Sequence, residues 1–261
     1  MSLDHATNIV KHQTVTRDAF LGERLLIAQP ARGFRAGLDS VLLGAAVRAE
    51  TGALLDLGAG VGTAALVALA HHSALDAVLV DNEPETLALA AENIAGNGLS
   101  SRAQAISLDL TASGAIRAKA GLMTDHFAAV IANPPFFTAG QGTLAKGSAR
   151  AAARHMDASE LDLWVKTAAA SAAPEGEIIF ILPAESLAPL LAAFDTRFGA
   201  LTLLPLSPRR DAPASRILLR GIKGSRAPLT LLPVRALHTG DGNAFAPEFE
   251  AILRGTARLL W

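Results

Sequence analysis

The sequence predicts an α/β protein built on a doubly wound, mostly parallel sheet. Three observations predict it. Short apolar runs alternate with helical-period stretches over most of the chain, as βαβ units do. The run 178–182, Ile-Ile-Phe-Ile-Leu, is apolar at every position, as a strand covered on both faces must be. The stretch Ala53-Leu-Leu-Asp-Leu-Gly-Ala-Gly-Val-Gly-Thr63 passes from an apolar strand through a glycine turn into an apolar helix. Such a turn lets backbone lie flush against a ligand and aims helix N–H groups at it.

In chain order, 1–11 reads as a loose arm. Runs 14–20 and 24–29 read as two strands around Gly22-Glu23, a hairpin. Asp39 stands where an N-cap belongs, before Val41, Leu42 and Ala45. Residues 1–50 thus form a hairpin and helix extension, placed to lid a domain spanning 51–261. Within that domain the first strand, 53–57, carries Asp56 and leads to Gly58, Ala59, Gly60 and Gly62. The second, 77–80, ends at Asp81-Asn82; Pro84 then opens a helix with Leu87, Ala91 and Ile94 on one face. The third, 103–107, ends near Asp109, before a weak helix at 111–119. The fourth, 127–132, leads into Asn133-Pro134-Pro135-Phe136, followed by a small-residue loop, 138–156. Asp157 and Glu160 then read as a cap for a helix carrying Leu161, Trp164, Val165 and Ala168. After 178–182 come a helix at 184–194, strand-like runs at 201–206, 216–220 and 229–234, and a short helix at 247–253 with proline at its first position.

Composition excludes several classes. Without cysteine there are no disulfides, iron–sulfur clusters or thiol nucleophiles. No H-E-x-x-H or G-x-S-x-G occurs, so metal and hydrolase chemistry fall away. The glycine spacing is G-x-G-x-G, with Thr63 where a dinucleotide fingerprint needs glycine, and no P-loop is present. No signal peptide and no membrane span are expected, so the chain reads as cytoplasmic. Net charge is −1, yet from Leu201 onward nine Lys/Arg face only four Asp/Glu. That local excess suits either a polyanion or a solvated surface. Oligomeric state is not legible.

In an open parallel sheet ligands bind outside the carboxyl ends of the strands, and the distinctive residues gather there. Asp56 suits a positively charged amino group. Asp81 suits the two hydroxyls of a ribose. Asp109 suits an adenine amine, or a helix cap. Together they fit a nucleoside bearing an amino-acid tail, S-adenosylmethionine. At 133–136 the double proline ends the strand and fixes carbonyl directions. The Asn133 side-chain carbonyl and the Asn133–Pro134 carbonyl then converge on one planar NH₂, and Phe136 offers a stacking face. Such an amine is a weak nucleophile, and two acceptors favour a pyramidal nitrogen with a localised lone pair. Lys146, Arg150, Arg154 and His155 flank the expected mouth, either tracking phosphates or solvated. Arg35 and Asp39 line the site or form a cap and its neighbour.

These motifs resemble class I S-adenosylmethionine-dependent methyltransferases acting on amino nitrogens. Gln29-Pro-Ala-Arg-Gly-Phe-Arg-Ala-Gly-Leu-Asp-Ser-Val-Leu-Leu43, Arg154-His155 and Phe245-Ala-Pro-Glu-Phe-Glu-Ala-Ile-Leu-Arg254 are similar to bacterial tRNA (adenine-N6) methyltransferases that modify a valine tRNA beside the anticodon. The resemblance implies a Rossmann-like, mostly parallel seven-stranded sheet, S-adenosylmethionine as cofactor and tRNA or another nucleic acid as partner. It implies that Asp56 and the glycines hold the methionine part, Asp81 the ribose, Asp109 the adenine, and Asn133 with Phe136 the target. Phe136 replaces the family's usual Tyr, and Met156 its usual Glu. Other readings are a glutamine-amide methyltransferase of the release-factor type, a small-molecule O-methyltransferase, and a catalytically silent RNA-binding module.

Overall fold

The computed structural model describes residues 14–33, 35–135, 158–240 and 242–261. The 1–11 arm, Phe136, the 138–156 loop and the Asp157 cap position lie outside them. Strands β1 (Val15–Phe20) and β2 (Leu25–Pro30) form the expected antiparallel hairpin. Helix α1 (Leu38–Ala45) follows, with Gly37 rather than Asp39 at its N-cap; Asp39 sits in the first turn. Then come β3 (Thr51–Leu57), α2 (Thr63–His71), β4 (Ala74–Asp81), α3 (Pro84–Gly96), β5 (Ala103–Ser107), α4 (Gly114–Lys119) and β6 (Phe127–Ala132). Helix α4 starts later than 111 because Ser113 caps it, accepting from the Ile116 N–H. The second half runs α5 (Ala158–Ser171), β7 (Ala172–Pro183), a 3₁₀ turn (Ala184–Ser186), α6 (Leu187–Asp195), β8 (Phe198–Ser207), β9 (Arg216–Lys223), β10 (Thr230–Leu231), β11 (Arg235–Ala236) and α7 (Pro247–Leu253).

The main sheet has the order β10-β8-β9-β7-β6-β3-β4-β5, with β11 also on β8. Seven strands are long, as expected; the two-residue strands β10 and β11 are additions at the β8 edge. The 229–234 run is not one strand, because Pro233 has no N–H to give a ladder and interrupts it. Pairing is parallel throughout except at β9, which lies antiparallel between β7 and β8.

Alternation along the strands divides the core into two layers. Leu54, Ile179 and Ile181 face the side covered by α1, α2 and α7, whereas Leu55, Leu57, Ile178, Phe180 and Leu182 face α5 and α6. Each fully buried side chain of this size contributes roughly 1.5–3 kcal/mol of transfer free energy. Leu25, Ile27 and Leu42 share the first layer with Leu54 and Leu66, so one apolar core runs across position 50.

The hairpin is fixed by two asparagines one helical turn apart. Asn93 accepts from the Ala28 N–H (2.7 Å) and donates to the Ala28 carbonyl (2.9 Å). Asn97 does the same for Leu26, at 2.9 Å each way. Two side chains thereby stand in for a neighbouring strand and satisfy the edge of β2. The 257–261 segment closes over the other end of α1. Leu259 N–H donates to the Ala45 carbonyl (3.0 Å) and Trp261 Nε1 to the Ala46 carbonyl (2.8 Å). Arg258 pairs there with Glu50.

Candidate active site

Strand β3 is the point at which the connections reverse. The chain leaves it through α2 to β4 on one side, and β6 returns to its other flank. Leu57 and Ala132 are paired in the parallel β3–β6 ladder. The next residues out from that pair are Gly58 and Asn133, so the glycine turn and the Asn-Pro-Pro motif lie side by side at the carboxyl edge. Asn133 is half-buried, Pro134 buried and Pro135 exposed.

The turn needs its glycines for packing as well as for its path. Gly58 has φ 66°, and a Cβ there would stand 2.4 Å from Cη2 of Trp164 on α5. Gly60 has φ 56°, but its nearest neighbour to a Cβ is Thr86 Cγ2 at 4.0 Å, so the space above it stays open. Its N–H is already spoken for: it donates to Asp81 Oδ2 at 2.8 Å. Asp81 Oδ1 accepts from the Glu83 N–H at 2.9 Å. Both carboxylate oxygens are therefore held by backbone, and the half-buried acid keeps one orientation. Asn82 beside it is exposed.

Asp109 is exposed just beyond β5, and both its bonds fall on Oδ1, from the Thr111 N–H (2.8 Å) and the Thr111 hydroxyl (2.7 Å). It is not the cap of α4; that place belongs to Ser113. Asn133, Gly58 and Asp109 thus follow the ends of β6, β3 and β5, and Asp81 is the last residue of β4. Four adjacent strands span about 14 Å, at 4.7–4.9 Å per spacing.

Asp56 sits deeper, 2% exposed. Its Oδ2 accepts from the Ala65 N–H at 3.1 Å, tying the first turn of α2 to β3. Burial pushes its pKa up from the ordinary 3.8 to about 7; the Ala65 N–H opposes this and the Asp81 charge adds to it. At neutral pH it is therefore poised between its two forms, ready to ionise beside a cation. Thr63 opens α2 at 1% exposure, and its hydroxyl is buried with no hydrogen-bond partner among the described residues. An unpaired buried hydroxyl, an open cradle over Gly60 and a fixed Asp81 carboxylate all fit a polar, hydroxyl-bearing ligand lying along this edge.

Other residues expected at the site have structural partners. Arg35 pairs with Asp18 and donates to the Pro30 carbonyl and the Thr16 hydroxyl, bracing the hairpin. Asp39 Oδ2 accepts from Arg216 Nε at 2.9 Å. Phe136, Lys146, Arg150, Arg154 and His155 lie outside the described residues. Trp164 and Arg216 were not legible as site neighbours, since each is placed by a contact remote in sequence.

The basic excess after residue 201 is largely consumed internally, by acids from earlier in the chain. Arg216 pairs with Asp39, Arg220 with Glu177, Lys223 with Asp125 and Arg258 with Glu50. Arg235 and Arg254 pair with the nearby Glu248 and Glu250. Much of the apparent polycation is thus structural. Among the described residues no cluster of acids and histidines suits a metal ion, and no helix is long and apolar enough to cross a membrane.

The turn, the switch point and the row of acids define a class I, S-adenosylmethionine-dependent methyltransferase. The chain belongs to the methyltransferase small domain family, which matches residues 37–177. It is 33% identical over 195 residues to a tRNA1(Val) (adenine(37)-N6)-methyltransferase of Shewanella halifaxensis, covering 72% of this chain and 75% of that one. A protein of the same name from Parabacteroides distasonis is 29% identical, over 82% of this chain and 90% of its own. Among solved structures, a predicted O-methyltransferase from Agrobacterium tumefaciens is similar at 28% identity and a TM-score of 0.71, covering 85% of this chain and 98% of that one.

Proposed function

We propose that this methyltransferase transfers a methyl group to N6 of an adenine in tRNA. The observation that carries the reading is the Leu57–Ala132 pairing, which sets Asn133 beside the glycine turn. Bound there, S-adenosylmethionine supplies an electrophilic methyl on a sulfonium. Asp81 holds the ribose hydroxyls with its remaining lone pairs, Asp109 the adenine, and Asp56 the charged amino group. Asn133 and the Asn133–Pro134 carbonyl accept the two N–H bonds of the target amine. They would direct its lone pair at the methyl carbon; as the N–C bond forms the methyl–sulfur bond would break, leaving a neutral thioether, and the cationic nitrogen would then release a proton to water. No strong base is required of the chain. Placement of this kind supplies up to about 7–11 kcal/mol of the barrier reduction. Phe136 is the stacking face for the base, and Arg35, Asp39, Lys146, Arg150 and Arg154 are its candidate neighbours. Residues 1–50 are an extension joined to the 51–261 catalytic domain, in a protein that works in the cytoplasm.

The relatives named as tRNA methyltransferases support the substrate; the solved relative described as an O-methyltransferase offers the second reading. Two acceptors at one position favour nitrogen, because a hydroxyl has one proton to hold, not two. The test is to incubate the protein with unmodified tRNA and labelled cofactor and to separate the nucleosides by mass spectrometry. N6-methyladenosine is expected. Label on a peptide glutamine or a phenol, with none on tRNA, would overturn the proposal.

A further inference from the structure

Arg210 and Arg226 are basic residues after 201 outside the ion pairs above. They occupy opposite ends of β8. Arg226 is exposed near the amino end, where the Ala200 N–H donates to the Ala227 carbonyl at 2.8 Å. Arg209 and Arg210 follow Ser207 at the carboxyl end, the edge that carries Asn133. Ten residues of strand put the two ends about 33 Å apart.

The loop joining β8 to β9, residues 208–215, is held firmly at this edge. The Ser215 N–H donates to the Leu206 carbonyl (2.9 Å), Ala184 N–H to the Ser215 carbonyl (3.2 Å) and His238 N–H to the Pro208 carbonyl (3.1 Å). Within it the Ala212 N–H closes a turn on the Arg209 carbonyl at 3.1 Å. Pro208 and Pro213 stiffen it further. Arg209 is anchored to the Gly242 carbonyl at 3.1 Å. Arg210 is exposed and joins no ion pair among the described residues; neither does the exposed Asp211 beside it. Strand β8 lies three spacings from β6, so the loop stands about 14 Å along the edge from Asn133. That is a reach of a few nucleotides.

We propose that Arg210, presented by this loop, holds a backbone phosphate of the RNA strand flanking the target nucleotide. The inference rests on the RNA reading above. A pinned loop places a cation without a large ordering cost, and a phosphate contact positions the strand without reading its sequence. Arg210 is a positioning residue, remote from the transferring methyl.

The test compares R210E with R226E, the same charge change at opposite edges of one sheet, in tRNA methylation at saturating cofactor. R210E should raise KM for tRNA about tenfold, leave kcat and cofactor affinity unchanged, and flatten the logarithmic salt dependence of tRNA binding by about one unit or more. R226E should match the wild type in all four. Wild-type activity on tRNA with R210E and R226E equal to it would overturn this inference alone. A wild type inactive on tRNA but active on a peptide glutamine would remove the RNA reading and this inference with it.

Discussion

The two flanks of β3 are built differently. On β3 itself and on its β4–β5 side each acid of the candidate site is held by a backbone N–H: Asp56 by Ala65, Asp81 by Gly60 and Glu83, Asp109 by Thr111. On the β6 side a single half-buried asparagine follows a strand, and two prolines come after it. One flank is a preorganised row of acids, which on the proposed function can serve any substrate with the same cofactor. The other, on the same proposal, supplies the first acceptor of the target site. On the function proposed above, the difference teaches that cofactor recognition rests on the sheet, whereas substrate choice rests on what is attached to its edge.

Asn133→Ala should separate the flanks most sharply. Turnover is expected to fall by about a thousandfold or more, the scale of losing a transition-state donor or acceptor, with cofactor affinity within a few-fold. Single-turnover kinetics alongside calorimetric titration would show it, and equal losses in both would mean the flanks act as one site. Asp81→Ala should do the reverse, weakening cofactor binding by roughly 10- to 100-fold for loss of charge-assisted hydrogen bonds. Unchanged affinity would detach Asp81 from the cradle.

Asp56→Asn sharpens the comparison through pH. The folded-state pKa is raised, from 3.8 to about 7, so the native protein retains a proton that the unfolded chain has lost across that window. Its contribution is therefore favourable at the acidic end and declines as pH rises from about 4 to about 7. The Asn variant keeps an acceptor for Ala65 and has no charge to bury. Without cofactor it should melt higher than the wild type at pH 8, by an amount on the order of 1–2 kcal/mol, and the gap should close toward pH 5. Wild-type cofactor affinity should rise through pH 7 more than that of the variant. Parallel curves for both proteins would place Asp56 outside the cofactor's reach. The smallest effect belongs to Asp39→Asn, which breaks a partly exposed pair with Arg216. It should cost under about 1 kcal/mol by thermal melting. A larger loss would show that this pair organises the target flank.

The cradle was legible because its determinants are local. A strand, three glycines at fixed spacing and an acid at the end of each following strand sit within short stretches of sequence. The same locality made the hairpin, α3 and α7 readable. What escaped depends on contacts remote in sequence. Asp39 reads as a cap, but its partner is Arg216, 177 residues away. The charge excess after 201 reads as a surface for a polyanion or for solvent, but the acids that neutralise much of it lie at Glu50, Asp125 and Glu177. Gly58 looks like turn chemistry, and its φ of 66° agrees, but Trp164 from α5 also forbids a side chain there. The 229–234 run carries the apolar signal of a strand and fails at Pro233, where backbone chemistry overrides composition.

The clasp of 257–261 over α1 has a consequence for how the protein is made. Trp261 and its acceptor Ala46 are 215 residues apart, and Arg258 reaches Glu50 across 208. During synthesis α1 leaves the ribosome long before the segment that covers it. Until that segment arrives, the early half of the nascent chain carries an uncovered helix end, and Glu50 has His72 as its partner but not yet Arg258.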